Sequence, residues 1–189
     1  MRVLGISGSL RRGSLNSALL RAAAARLPAG AELVEFDRLG EVPPYDSDLE
    51  AEGTPEVVRD LREAMRGADA VLVATPEYNH SIPGQLKNAL DWASRPAGQS
   101  AMNGKPAAVV GASTGIFGAV WAQAETRKVL GALGARVVEA ELPVGRANEL
   151  LSDGELELDP QLSGRFEEIL AELVAAAEEA EAGTEPVPA

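Results

Sequence analysis

Short, unbroken apolar runs alternate along this chain with longer stretches in which apolar residues recur every three to four positions. Residues 3–6, 70–74 and 107–110 are apolar throughout. A strand carries no polar face only when both of its faces are covered, as in a parallel sheet under helices. Residues 32–36 alternate and read as a second strand, and residues 135–138 as a fifth. Between the strands, residues 14–27 place Leu15, Ala18, Leu19, Ala22 and Leu27 at helical spacing and stop at Pro28 and Gly30. Residues 54–66 predict a helix with Thr54 as cap and Pro55 at its first position. A helix opening at Pro83 turns Leu86, Ala89, Leu90 and Trp92 inward, and further helices are expected over 119–133 and 160–181. Residues 37–53 hold Gly40, Pro43, Pro44 and several acids and read as a long loop. Strand and helix alternate five times without a repeat. The pattern predicts an α/β fold, a doubly wound five-stranded parallel sheet with helices on both faces, either flavodoxin-like or a shortened Rossmann fold.

At 189 residues the chain fits one domain, expected over 1–182, with a disordered tail at 183–189. With no cysteine and one histidine, thiolate metal sites, disulfides, cysteine nucleophiles and histidine metal clusters are excluded. The net charge of −12 argues against nucleic acid or an anionic membrane as partner. That charge is uneven: seven glutamates and no Lys or Arg follow Arg165. No stretch approaches the roughly 18 apolar residues of a membrane span. The short apolar start runs straight into Gly8-Ser9, unlike a signal peptide, so a cytoplasmic protein is expected.

In an open α/β sheet, ligands bind beyond the carboxyl ends of the strands, and the three loops expected there have unusual composition. Gly8-Ser9-Leu10-Arg11-Arg12-Gly13-Ser14-Leu15-Asn16 opens the first helix, where backbone amides face an anion. It lacks the Gly-Lys-[Ser/Thr] ending of a Walker A loop, and Leu10 stands where a dinucleotide fingerprint needs its second glycine. The donors Ser9, Arg11, Ser14 and Asn16 suit a terminal phosphate monoester; alternatively, Ser14 only caps the helix. In Pro76-Glu77-Tyr78-Asn79, an aromatic ring and an amide in a rigid loop suit a planar heterocycle, or else form a surface turn in which Tyr78 packs on Pro83. His80 reads as a structural or surface residue, and Glu77 has no acid–base partner near it in sequence. The glycine-spaced segment 111–118 lets backbone approach a flat ligand edge.

Three motifs, Gly8-Ser9-Leu10-Arg11 with Ser14 and Asn16, Pro76-Glu77-Tyr78-Asn79-X-Ser81-X-Pro83, and Leu86-Lys87-Asn88-Ala89-X-Asp91-Trp92, together resemble the NADPH-dependent FMN reductase family, in particular its bacterial quinone and chromate reductase branch. The resemblance runs from the first strand to about Val144. It implies a flavodoxin-like fold with non-covalent FMN, whose phosphate rests on Ser9, Arg11, Ser14 and Asn16. Pro76, Glu77, Tyr78 and Asn79 then lie against the ribityl chain and ring, and Ser113, Thr114 and Gly115 close the far edge. It further implies NADPH or NADH as co-substrate and hydride transfer through flavin N5 to a quinone, with chromate, azo, nitro or free flavin as incidental acceptors. No catalytic side chain is required. A homodimer or homotetramer is implied, with Leu86 to Trp92 supporting the flavin loop and the subunit contact. Trp121 and Ala124 depart from relatives that are polar at a tetramer contact. Two rivals are a flavodoxin-type electron carrier without nicotinamide activity and an NAD-binding Rossmann protein using Asp37 as its ribose acid.

Overall fold

The computed structural model describes residues 1–182; the tail expected over 183–189 lies outside the described residues. β1 (Arg2–Ser7), β2 (Glu32–Glu35), β3 (Ala70–Ala74), β4 (Pro106–Ala112) and β5 (Arg136–Val137) form a sheet in the order β2-β1-β3-β4-β5, every pair parallel. That order is flavodoxin-like, so the Rossmann alternative falls. The strands with unbroken apolar runs are central: β3 and β4 are buried throughout, whereas alternating β2 lies at the edge.

The pleat divides the core in two. Val3, Leu72, Ala108 and Val110 face α1 (Leu15–Ala24) and α6 (Pro160–Ala182), from which Leu19, Leu20, Phe166 and Leu170 fill one layer. Leu4, Ile6, Val71, Val73 and Val109 face the other layer, built from α3 (Glu56–Gly67), α4 (Gly84–Ala93) and Leu130 of α5 (Val120–Ala132). Each fully buried Leu, Ile or Phe contributes about 1.5–3 kcal/mol relative to exposure. Among the described residues no helix is long and apolar enough to cross a membrane.

Four details differ from the expectations. The fifth strand is interrupted: β5 pairs with the start of β4, and a separate β6 (Pro143–Val144) pairs with its carboxyl end at Gly111 and Ala112. Buried Gln123 bridges the break, accepting from Leu142 N at 3.1 Å and donating to Leu142 O at 3.2 Å and Gly118 O at 2.9 Å. A side-chain amide thus serves backbone groups where the ladder lapses. Segment 37–53 is an ordered strap, with a 3-10 turn at Leu39–Glu41 and a short helix α2 (Ser47–Glu52). Gln85 donates to Leu39 O and Val42 O, both at 2.8 Å, and Asn88 Nδ2 and Trp92 Nε1 both reach Pro43 O at 2.8 Å. Thr54 does not cap α3: Pro55 occupies the cap position in an extended conformation, and the Thr54 hydroxyl instead accepts from Arg62 at 3.4 Å. A hairpin of β7 (Leu151–Ser152) and β8 (Glu155–Leu156) turns through Asp153 and Gly154, both at positive φ.

Candidate functional site

The carboxyl ends of β1, β3 and β4 lie side by side, so the loops that leave them converge. They enclose a cleft of about 260 Å³ lined by Ser9, Arg11, Leu15 and Asn16 from the first loop, Pro76, Glu77 and Tyr78 from the second, and Ala112, Ser113 and Thr114 from the third. A larger hollow of about 530 Å³ between Arg66, Gln99 and Lys105 lies at the amino end of β4. There the Lys105 ammonium is engaged by the carbonyls of Arg66 and Ala68 at the end of α3. Burial lowers the Lys105 pKa. Position relative to the sheet, and not size, selects the smaller cleft.

In the first loop Ser14 is the N-cap of α1, its Oγ accepting from Asn16 N and Ser17 N, both at 3.2 Å. It is buried and does not line the cleft. Gly13 meets nothing within 4 Å of an added Cβ, so it does not perform the helix-to-strand packing of a dinucleotide fingerprint's third glycine. Asn16 is also buried, and both ends of its amide are engaged: Nδ2 donates to Ala112 O and Oδ1 accepts from Ala112 N, each at 3.0 Å. Arg11 and Arg12 are exposed and make no ion pair among the described residues.

The second loop is a tight turn. Tyr78 and Ser81 exchange both backbone hydrogen bonds at 3.1 Å, with Asn79 and His80 at φ 53° and 60° between them. Two successive left-handed residues are the mark of a type I′ turn, which asparagine at the first position favours. Tyr78 is half exposed, so it does not pack away on Pro83. Glu77 points back into the protein: Oε2 accepts from Trp121 N at 3.0 Å and Ala122 N at 3.1 Å. These are orphan donors of the first turn of α5, whose cap residue, Ala119, has no side chain to offer them. Ser81 Oγ donates to Glu125 at 2.5 Å and Ile82 N at 3.3 Å, which holds that carboxyl below its ordinary range.

The third loop is seated on the segment after β6. Ser113 N donates to Val144 O, Arg146 N to Gly115 O and Ala147 N to Ser113 O at 2.9–3.0 Å. Gly118 has φ +57°, and a Cβ there would lie 2.2 Å from the Pro143 carbonyl carbon. That glycine serves contact between protein backbones. At Gly115 the nearest atom to an added Cβ is Ser113 Oγ at 3.7 Å.

Of the eleven expected residues, Ser9, Arg11, Asn16, Pro76, Glu77, Tyr78, Ser113 and Thr114 line one cleft, while Ser14, Asn79 and Gly115 flank it within the same loops. The structural importance of Gln123, and of the pairing of Glu77 with α5 and with His80, had no sequence signal, because each depends on contacts over more than 15 residues or on a turn geometry. The Leu86 to Trp92 motif does its work through Asn88 and Trp92, which hold the strap. Asp37, two residues past the carboxyl end of β2, is exposed and does not line the cleft, which speaks against the ribose-acid role.

A flavodoxin-like sheet with a cleft at the carboxyl ends of its central strands defines a nucleotide-binding α/β protein. The donor set fits FMN: hydroxyl and guanidinium groups lie at the N-terminus of α1 on one side, with a proline, a half-exposed tyrosine and open backbone on the other. The sequence profile of the NADPH-dependent FMN reductase family matches residues 1–149, and the chain belongs to that family. It is 52% identical over 130 residues to the NAD(P)H-dependent FMN reductase PA1204 of Pseudomonas aeruginosa, covering 69% of each chain. It is 44% identical over 129 residues to a 2-hydroxy-1,4-benzoquinone reductase of a Burkholderia species, covering 68% of this chain and 69% of that protein. The solved structure of FerB, a flavoenzyme NAD(P)H:acceptor oxidoreductase from Paracoccus denitrificans, superposes with a TM-score of 0.82 at 36% identity, covering 95% of this chain and 98% of that one. Family membership sets aside the electron-carrier reading, and FMN is the cofactor and NAD(P)H the co-substrate.

Proposed function

We propose that this chain passes reducing equivalents from NAD(P)H to quinone-class acceptors, the two substrates using the cleft in turn. The observation that carries the reading is the cleft at the ends of β1, β3 and β4, where loops from three strands meet. When bound, FMN supplies the hydride chemistry; the chain supplies binding, orientation and access. Ser9 and Arg11, at the N-terminus of α1 that Ser14 caps, receive the phosphate, a dianion matched by a hydroxyl, a guanidinium and the positive end of the helix dipole. Asn16 acts through Ala112, setting the distance between the first and third loops. Pro76, Tyr78 and Asn79 border the ring, Glu77 keeps their loop joined to α5, and Ser113, Thr114 and Gly115 bound the opposite edge.

Because one cleft serves both substrates, the mechanism is ping-pong. Parallel double-reciprocal lines for NADPH and a benzoquinone test this, and intersecting lines would overturn it. FMN titration of the apo-protein, followed by flavin absorbance, tests the site itself. The chain acts as a homodimer or homotetramer in the cytoplasm. Exposed Ile116, Phe117 and Trp121 form an apolar rim beside the cleft that a second copy would cover. Light scattering decides the assembly, and a monomer at micromolar concentration would reject it.

A further inference from the structure

His80 follows the cleft-lining residues Glu77 and Tyr78 in the second loop, and its ring has two neighbours, a carboxylate and an indole. Nδ1 is 3.6 Å from Oε1 of Glu77. The ring meets Trp121 edge-on, with centroids 4.8 Å apart and planes at 90°. Its backbone is set by the type I′ turn closed between Tyr78 and Ser81. Glu77 is itself fixed, because its other oxygen accepts from two α5 amides and its side chain is only 13% exposed. One carboxylate oxygen therefore serves the helix while the other faces the imidazole. Glu125, the other acid near this turn, is taken by Ser81 and Ile82. The imidazole is 75% exposed, and its neighbours Glu77 and Tyr78 line the cleft.

A backbone-anchored carboxylate that orients an imidazole is an arrangement suited to proton transfer. Two-electron reduction of a quinone needs one: a hydride equivalent alone yields a hydroquinone anion, and a proton completes the product. We propose that His80, as the imidazolium oriented by Glu77, donates that proton from Nε2 to a carbonyl oxygen of the acceptor. The O–H bond forms as the N–H bond breaks, the imidazole is left neutral, and solvent restores its proton. The hydride comes from the NAD(P)H-reduced cofactor, so one hydride and one proton convert quinone to hydroquinone. His80 is then a catalytic residue of the acceptor step and Glu77 its positioning residue. The inference rests on the cleft being the FMN site.

The test compares a benzoquinone with ferricyanide, which takes single electrons and no proton, using FMN-loaded wild type, His80→Gln and Glu77→Gln. The ratio of quinone to ferricyanide turnover is expected to fall about tenfold in His80→Gln. This is less than the roughly hundred- to ten-thousandfold effect of an enclosed acid, because water substitutes in part at an exposed site. Added imidazole should restore part of the loss. Glu77→Gln keeps an oxygen for the α5 amides while removing the charge, and should lower the same ratio. In the apo-protein the chain's one histidine gives the only imidazole 15N signals, and these should shift on Glu77→Gln. An unchanged ratio, equal loss with both acceptors, or 15N signals indifferent to Glu77 would each overturn the proposal. FMN titration of the same preparations reports separately on the cleft: failure of the wild-type chain to bind FMN would overturn the site reading as well.

Discussion

Asn16 and Ala112 hold each other by two reciprocal hydrogen bonds of 3.0 Å, side-chain amide to backbone, across 96 residues of sequence. The pair ties the start of α1 to the end of β4 and so sets the width of the cleft between two of its three loops.

Asn16→Leu, close in volume, leaves the buried N–H and C=O of Ala112 without those partners. At about 1–3 kcal/mol for each of the two unsatisfied groups, the variant is expected to lose roughly 2–6 kcal/mol of stability and to bind FMN less tightly. Thermal or urea unfolding checks the first expectation and flavin titration the second. A stability change within about 0.5 kcal/mol, the range of ordinary surface substitutions, would show that the bonds are dispensable.

Arg11→Ala should weaken FMN far more than riboflavin. A charge-assisted bond to the phosphate contributes about 1.5–3 kcal/mol, or ten- to a hundredfold in affinity, and riboflavin has no phosphate to lose. Equal weakening of both ligands in parallel titrations would mean that Arg11 contacts something else.

At Asn79, backbone and side chain can be separated. Its φ of 53° belongs to the left-handed region, where glycine is unstrained and alanine costs about 1 kcal/mol. Asn79→Gly should therefore keep the turn, while Asn79→Ala strains it. If both variants slow flavin reduction and reoxidation equally in stopped flow, the amide contacts the reacting groups. If only the alanine variant is slow, the residue serves the turn alone.

The Ser81–Glu125 pair gives stability a pH dependence of known sign. The hydroxyl of Ser81, then the amide of Ile82, holds the Glu125 pKa below its ordinary 4.5 in the folded chain. Folding is therefore favoured while the carboxylate is ionised, and this contribution is lost as pH falls below about 4.5 through the depressed value. Ser81→Ala should cost about 0.5–1.5 kcal/mol at pH 7, with the difference from wild type shrinking in acid. A difference that stays constant from pH 7 to pH 3 would contradict the assignment.

The central strands, most helices and the three site loops were legible in sequence because their signals are local. Burial on both faces leaves an unbroken apolar run, as at residues 70–74, and helical spacing repeats within two turns. The identity of the cleft residues was legible too, since Ser9, Arg11 and residues 76–78 sit in short motifs between such elements. Some signals were local yet easily passed over: Asp153-Gly154 is a strong hairpin turn that residues 139–159 conceal among mixed composition. Other features had no local signature. The order β2-β1-β3-β4-β5 depends on which strands pair, and the same alternating pattern suits the Rossmann order equally. The split of the last strand, bridged by Gln123, and the anchoring of α5 by Glu77 join groups far apart in the chain, while the approach of Glu77 to His80 depends on the turn between them. A polar side chain in sequence shows what it is able to bond, not which partner folding brings within 3 Å. That choice belongs to the tertiary structure, because buried donors and acceptors must be satisfied by whatever the packed core sets beside them.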